Sequence, residues 1–169
     1  AITPNYCIFV QNPVSFNPMP FVFGFKGAAE CIQFNPKKPT KIVVIPRNGT
    51  DEVRFFDTDP CFVFHHANAF EQDGKLILDS VCYDRFPTLD DAEDYSTVDF
   101  DHVPASQLWR FTVNLTTEKV SVEKLVERPC EFPTLHPKHV GRPYRYLYLG
   151  ATHGPVKNAP LQALIKRDM

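Results

Sequence analysis

The apolar residues of this chain fall into short runs at close intervals, and nowhere do they hold the three-to-four spacing of an amphipathic helix of ordinary length. Runs rich in β-branched and aromatic side chains cover 6–11, 30–34, 41–45, 53–56, 61–70, 75–83, 107–115, 120–127 and 144–149, and these predict strands. Turn-forming residues separate them: Asn48-Gly49, Gln72-Asp73-Gly74, Thr116-Thr117-Glu118-Lys119 and several prolines. Two hairpins follow directly, 61–83 closed by Asp73-Gly74 and 107–127 closed by the turn at 116–119. The predicted fold class is all-β with antiparallel strands. Periodicity leaves sandwich, barrel and propeller open, because no internal repeat is legible in the residues.

Composition sharpens this picture. With 169 residues the chain has room for one domain, 1–169, since domains commonly hold about 100–200 residues. Phe at 15 and Pro at 16 against Gly at 7 supply many flat apolar side chains and frequent interruption, so helix is disfavoured throughout. A net charge of −2 offers no basic excess, and nucleic acid is not an expected partner. Cys7, Cys31, Cys61, Cys82 and Cys130 form an odd set without Cys-x-x-Cys spacing, and four of them lie in apolar runs, which favours a reducing compartment. No stretch approaches the roughly 20 apolar residues that span a bilayer. The sequons at Asn48 and Asn114 read more simply as turn and strand residues. A first residue Ala1 without an initiator Met, and an end at Lys166-Arg167-Asp168-Met169 without a closing element, suggest an interior piece of a longer chain.

The candidate chemistry centres on Phe64-His65-His66-Ala67-Asn68-Ala69-Phe70-Glu71, a tandem of histidines inside an apolar run. Imidazole held in a dry setting serves as metal ligand or acid–base group. The alternative is one ring facing the core with its nitrogens satisfied and one facing water, since strand neighbours point to opposite faces.

This block, with Asp73-Gly74-Lys75-Leu76-Ile77-Leu78-Asp79 behind it, resembles the Phe-His-x-x-Asn-Ala-(aromatic)-Glu block of the carotenoid cleavage oxygenases. Two further blocks agree in order. Residues 2–14 are similar to the segment after the family's second iron-ligand histidine. Glu131-Phe132-Pro133 with Gly141-Arg142-Pro143-Tyr144-Arg145-Tyr146 resembles the later block that carries a glutamate behind the ligands. The wording of the first block looks closest to the cyanobacterial apocarotenoid oxygenases.

The resemblance implies a seven-bladed β-propeller whose loops form a dome over an axial iron, of which this piece would hold about three blades at about 40–50 residues each. The remaining blades of the parent chain would be its partners. The implied activity is Fe(II)-dependent cleavage, with dioxygen, of a carbon–carbon double bond in a carotenoid or apocarotenoid to carbonyl products; stilbene-type cleavage and a non-catalytic lipid- or partner-binding propeller are the alternatives. His65 matches one of four iron-ligand histidines and His66 matches none; two ligands would lie upstream of Ala1 and one downstream of Met169. By the same resemblance Glu131 accepts the far N–H of a ligand imidazole, the alternative being an exposed glutamate at a strand end. Phe64, Tyr83 and Phe132 match aromatic residues that line the substrate tunnel, with plain core packing as the alternative.

The stretch around Asn17 to Phe25 is apolar and broken by proline, with neither strand alternation nor helical periodicity. Phe16, Met19, Phe21, Phe23 and Phe25 match the family's membrane-facing patch, bordered by Lys26, and imply a cytoplasmic protein peripherally bound to a membrane; a loop folded onto the core is the alternative. His136 and His139 lack a third ligand at metal-site spacing and read as exposed loop residues. The acidic run from Asp90 to Asp101 lacks a calcium loop's central glycine and closing glutamate, and reads as a solvated excursion.

Overall fold

A computed structural model describes residues 1–87, 98–100, 102–153 and 160–169. In chain order the elements are β1 (Tyr6–Gln11), β2 (Val14–Phe16), α1 (Pro18–Val22), β3 (Ile32–Phe34), β4 (Thr40–Pro46), β5 (Arg54–Thr58), β6 (Phe62–Gln72), β7 (Lys75–Tyr83), β8 (Ser106–Asn114), β9 (Val120–Val126), β10 (Cys130–Thr134), β11 (Tyr146–Ala151) and β12 (Ala163–Asp168). All pairings between strands are antiparallel. They build a central four-stranded sheet, β6-β7-β8-β9, flanked by three-stranded sheets β1-β4-β5 and β10-β11-β12, with β2-β3 as a separate ribbon. Three successive sheets, packed face to face, make the three-blade portion of a β-propeller.

Two cores explain the sequence pattern. On one face of the central sheet Val63, Ala69, Leu76, Leu78, Trp109 and Phe111 pack against Ile8, Ile42, Val44 and Phe56 of the first sheet. On the other face Phe62, Ala67, Val81 and Leu108 pack against Cys130, Leu147 and Leu149 of the third. A strand covered on both faces cannot alternate between apolar and polar. Accordingly β7 is buried from Leu76 to Tyr83 without a break, whereas β4 alternates buried Ile42 and Val44 with partly covered neighbours.

Both predicted hairpins form, each within a residue of its expected ends. Asp73 (φ 51°) and Gly74 (φ 71°) both take positive φ, so the β6–β7 connection is the two-residue turn whose twist suits a hairpin. Asn114 Oδ1 accepts from the amides of Thr116 and Thr117, and Asn48 Oδ1 from those of Thr50 and Asp51, which makes both sequon asparagines turn residues. Four cysteines are buried and Cys7 is partly so, all as free thiols.

Three expectations are corrected. The C-terminal residues do form an element: β12 pairs along the whole of β11. The proline-broken stretch contains the five-residue helix α1, capped by Asn17 Oδ1 on the Met19 amide and started by Pro18, whose missing N–H costs nothing in a first turn. β2 and β10 also escaped the strand reading; three residues are too few to show alternation, and β10 carries Pro133 and a bulge. Most of the acidic run, 90–97 and 101, lies outside the described residues; Asp99 carries an exposed contact to His102 Nδ1 at 2.7 Å.

Candidate active site

Two bulges interrupt β6. Its register against β7 shifts between Val63 and His65 and again between His66 and Asn68, leaving Phe64 and Ala67 as the extra residues. A bulge re-aims side chains locally. Phe64 is thereby turned outward and exposed, and the two histidines part company. His66 is partly buried with Nδ1 2.8 Å from Ser80 Oγ, and burial above all lowers its pKa to about 4, so its imidazole is neutral. His65 instead presents Nδ1 to Glu131 Oε2 at 2.8 Å, with about half of its side chain exposed.

Glu131 is buried at 7 % exposure and fully bonded. A carboxylate only accepts, so the His65 ring donates from Nδ1 and its Nε2 is left as the free lone-pair donor. Oε2 also accepts from the Phe132 amide at 2.9 Å, and Oε1 accepts from the Tyr83 hydroxyl at 2.9 Å. Burial first, then the neighbouring Glu131, raises the Tyr83 pKa, so the phenol stays a donor. Phe132 sits at the β10 bulge with φ 55°, a backbone region that a bulky side chain seldom occupies. Its ring lies 5.6 Å from the His65 ring and is 65 % exposed.

The scaffold beneath is stitched by polar side chains to which the sequence assigned no role. Asn68 donates from Nδ2 to the carbonyls of His139 and Arg142 and accepts at Oδ1 from the Gly141 amide. A side chain at Gly141 (φ 77°) would meet the Ile2 carbonyl at 3.1 Å, so glycine lets the two segments touch. Glu71 accepts from the amide and the side chain of Asn5. Fully buried Asp79 is gripped by Arg110 through Nε and a terminal nitrogen at 2.8 and 2.9 Å, and by the Tyr144 hydroxyl at 2.7 Å. The three sequence blocks thus converge on β6 and β7. A signal existed: Asp79 and Arg110 are opposite charges inside apolar strands of neighbouring hairpins, and each needs a partner.

Of the predicted site residues, His65, Glu131, Phe64, Tyr83 and Phe132 come together. Phe64 packs edge-on against Tyr83, with centroids 5.7 Å apart. Phe64 and Phe132 offer exposed faces, while Tyr83 is buried behind them. Phe16, Met19, Phe21, Phe23 and Phe25 form a separate group on and around α1, each half or more exposed in this chain. His136 and His139 are exposed at a 3-10 turn. Among the described residues no group of three or more His, Cys, Asp or Glu side chains is placed to hold a metal, and the imidazole whose setting suits a ligand is that of His65. Its fit is chemical: a carboxylate on one ring nitrogen fixes the tautomer and turns the other nitrogen outward as a ligand.

Known proteins resemble this chain over its whole length. The family model of the retinal pigment epithelial membrane protein matches residues 1–169. The chain is 50 % identical, over all of its length, to an apocarotenoid-15,15'-oxygenase of Synechocystis, of which it covers 34 %. It is 36 % identical, over 91 % of its length, to a carotenoid cleavage oxygenase of Mycobacterium tuberculosis, of which it covers 38 %. The structure of cobalt-substituted Synechocystis apocarotenoid oxygenase superposes on 99 % of this chain with a TM-score of 0.93, and the chain covers 35 % of it. The chain spans about a third of the length of these relatives, and it belongs to the carotenoid oxygenase family of the retinal pigment epithelial membrane protein.

Proposed function

We propose that the full-length protein containing this chain is a non-haem iron dioxygenase that cleaves a carbon–carbon double bond of an apocarotenoid or carotenoid to two carbonyl products. The observation that carries this reading is the Glu131–His65 pair, which leaves a half-exposed imidazole Nε2 beside two exposed aromatic faces. Ferrous iron, when bound, supplies the redox chemistry with dioxygen. A neutral imidazole suits such an ion, because an all-nitrogen set brings no anionic ligand and leaves positions open. His65 contributes Nε2. Glu131 holds the ring's tautomer and azimuth and raises its basicity. Phe64 and Phe132, with Tyr83 behind them, form a flat wall that suits a conjugated chain at small rotamer cost. The remaining ligands and most of the tunnel belong to parts of the parent outside this chain.

The exposed group on and around α1 fits a peripheral membrane contact through which a lipid-dissolved substrate enters. No helix among the described residues is long and apolar enough to cross a membrane. Five free thiols accord with a cytoplasmic setting.

The test is turnover by the full-length protein, loaded anaerobically with Fe(II) and then given an apocarotenal in detergent under air. Loss of polyene absorbance with two aldehyde products supports the reading; no aldehyde from a stoichiometrically iron-loaded protein overturns it. Glu131→Gln keeps an acceptor but loses the charge, and activity or iron affinity falls about 10- to 100-fold. Unchanged turnover and affinity remove Glu131 from the site.

A further inference from the structure

We infer that Tyr83 is a positioning residue for the metal centre, acting through Glu131: its hydroxyl holds the Oε1 edge of the carboxylate so that Oε2 is turned to His65 Nδ1. The inference rests on the reading of His65 as a ligand and deepens it.

The geometry is a pincer across two sheets. Tyr83 and His65 both come from the central sheet, and Glu131 comes from the next. Tyr83 is the last paired residue of β7, held by Phe62 of β6 on one side and Ser106 of β8 on the other, so its backbone is fixed from both flanks. Its ring is wedged edge-on against Phe64. The hydroxyl therefore arrives at Oε1 from a defined direction, 2.9 Å away, while His65 Nδ1 and the Phe132 amide take Oε2 at 2.8 and 2.9 Å. A glutamate's terminal torsion is soft. Donors on Oε2 alone leave it free to swing, and donors on both oxygens lock the carboxylate plane. Removing the hydroxyl strands a buried acceptor and lets the carboxylate turn to recover a partner. The His65 ring, half exposed, has no other described side chain bonded to Nδ1, so it follows Glu131.

A merely structural tyrosine would stabilise the fold without reporting on the imidazole, and a double-mutant cycle separates the two roles. Tyr83→Phe, Glu131→Gln and the double variant are made in the full-length protein. Each is titrated with Co(II), read by optical absorption, and the metal-free forms are examined by ¹⁵N NMR of the His65 ring. Tyr83→Phe weakens Co(II) binding about tenfold in the wild-type background and adds nothing when Glu131 is already Gln. In the metal-free protein it also shifts the His65 Nδ1 signal, at an unchanged melting temperature or not. Equal weakening in both backgrounds, or none in either, overturns the inference. Should the wild type itself bind no Co(II), the ligand reading of His65 falls, and the ring signals then decide alone: an unmoved Nδ1 resonance in Tyr83→Phe overturns the positioning role.

Discussion

At the start of β6 the buried carboxylate of Glu131 meets three donors, and the aromatic rings around it touch one another at fixed angles. From Phe16 to Phe25 aromatic residues are as dense, yet α1 buries none of its residues, and its only side-chain cap is the Asn17 bond. The first region has polar groups in apolar surroundings, and each such group must find its partner or cost free energy. The second has apolar groups in polar surroundings, which specify no partner and gain by any apolar contact. One arrangement fixes atoms to fractions of an ångström, as a metal ligand requires. The proposed bilayer contact fits the other, because a fluid surface has no fixed atoms to match.

The largest effect is expected at the histidine pair. His65→Ala in the full-length protein abolishes iron retention and turnover, and His66→Ala leaves both largely intact. Metal analysis of the two purified variants decides; equal iron content would show that the β6 bulges do not sort the rings into two roles.

Next in size is the charge beneath the site. Arg110→Ala leaves the buried Asp79 carboxylate without its bidentate partner, and loss of one member of such a pair costs about 3–5 kcal/mol. Denaturant unfolding reads this directly. A midpoint shift worth under 1 kcal/mol would mean that Tyr144 alone satisfies Asp79, and that the anchoring of β7 is softer than its geometry.

The two regions also differ in how far the sequence disclosed them. Hairpins 61–83 and 107–127 were legible because Asp73-Gly74 and a four-residue polar turn interrupt strongly patterned strands. The His65–Glu131 contact was expected only through resemblance, since 66 positions separate the residues and the pairing depends on two bulges that leave no compositional mark. Asn68 and Asp79 lie in the block that carries the resemblance but had no role assigned to them, nor had Arg110, although a charge inside a strand buried on both faces announces a partner. The helix at Pro18–Val22 was invisible for a plainer reason: five residues make little more than one turn, too short for any period to show.

A smaller effect on stability, with a large one on location, is expected at the loop. Replacing Phe21, Phe23 and Phe25 together by serine removes side chains that are already half or more exposed, so unfolding midpoints move little. Liposome binding falls sharply, because each aromatic side chain contributes up to about 1.5–3 kcal/mol on leaving water. Turnover of membrane-delivered substrate drops more than turnover in detergent. Unchanged liposome binding with a markedly lower melting temperature would place the loop in the core of the full-length protein.

The finest test asks whether the rigid region stores strain for its geometry. Phe132 holds φ 55° at the bulge, while its ring is 65 % exposed and touches His65 at 5.6 Å. A non-glycine residue there carries a steric cost of about 1–3 kcal/mol, which the bond from its amide to Glu131 helps to offset. Alanine keeps that cost and loses the ring; glycine loses the ring and the cost together, at some expense in unfolded-chain entropy. Phe132→Gly is therefore more stable than Phe132→Ala by about 1 kcal/mol, and both variants bind a polyene more weakly than the wild type. Denaturant midpoints of the two full-length variants supply the check. Alanine equal to or better than glycine would show that the backbone at the bulge is relaxed, and that Phe132 is there for its ring alone.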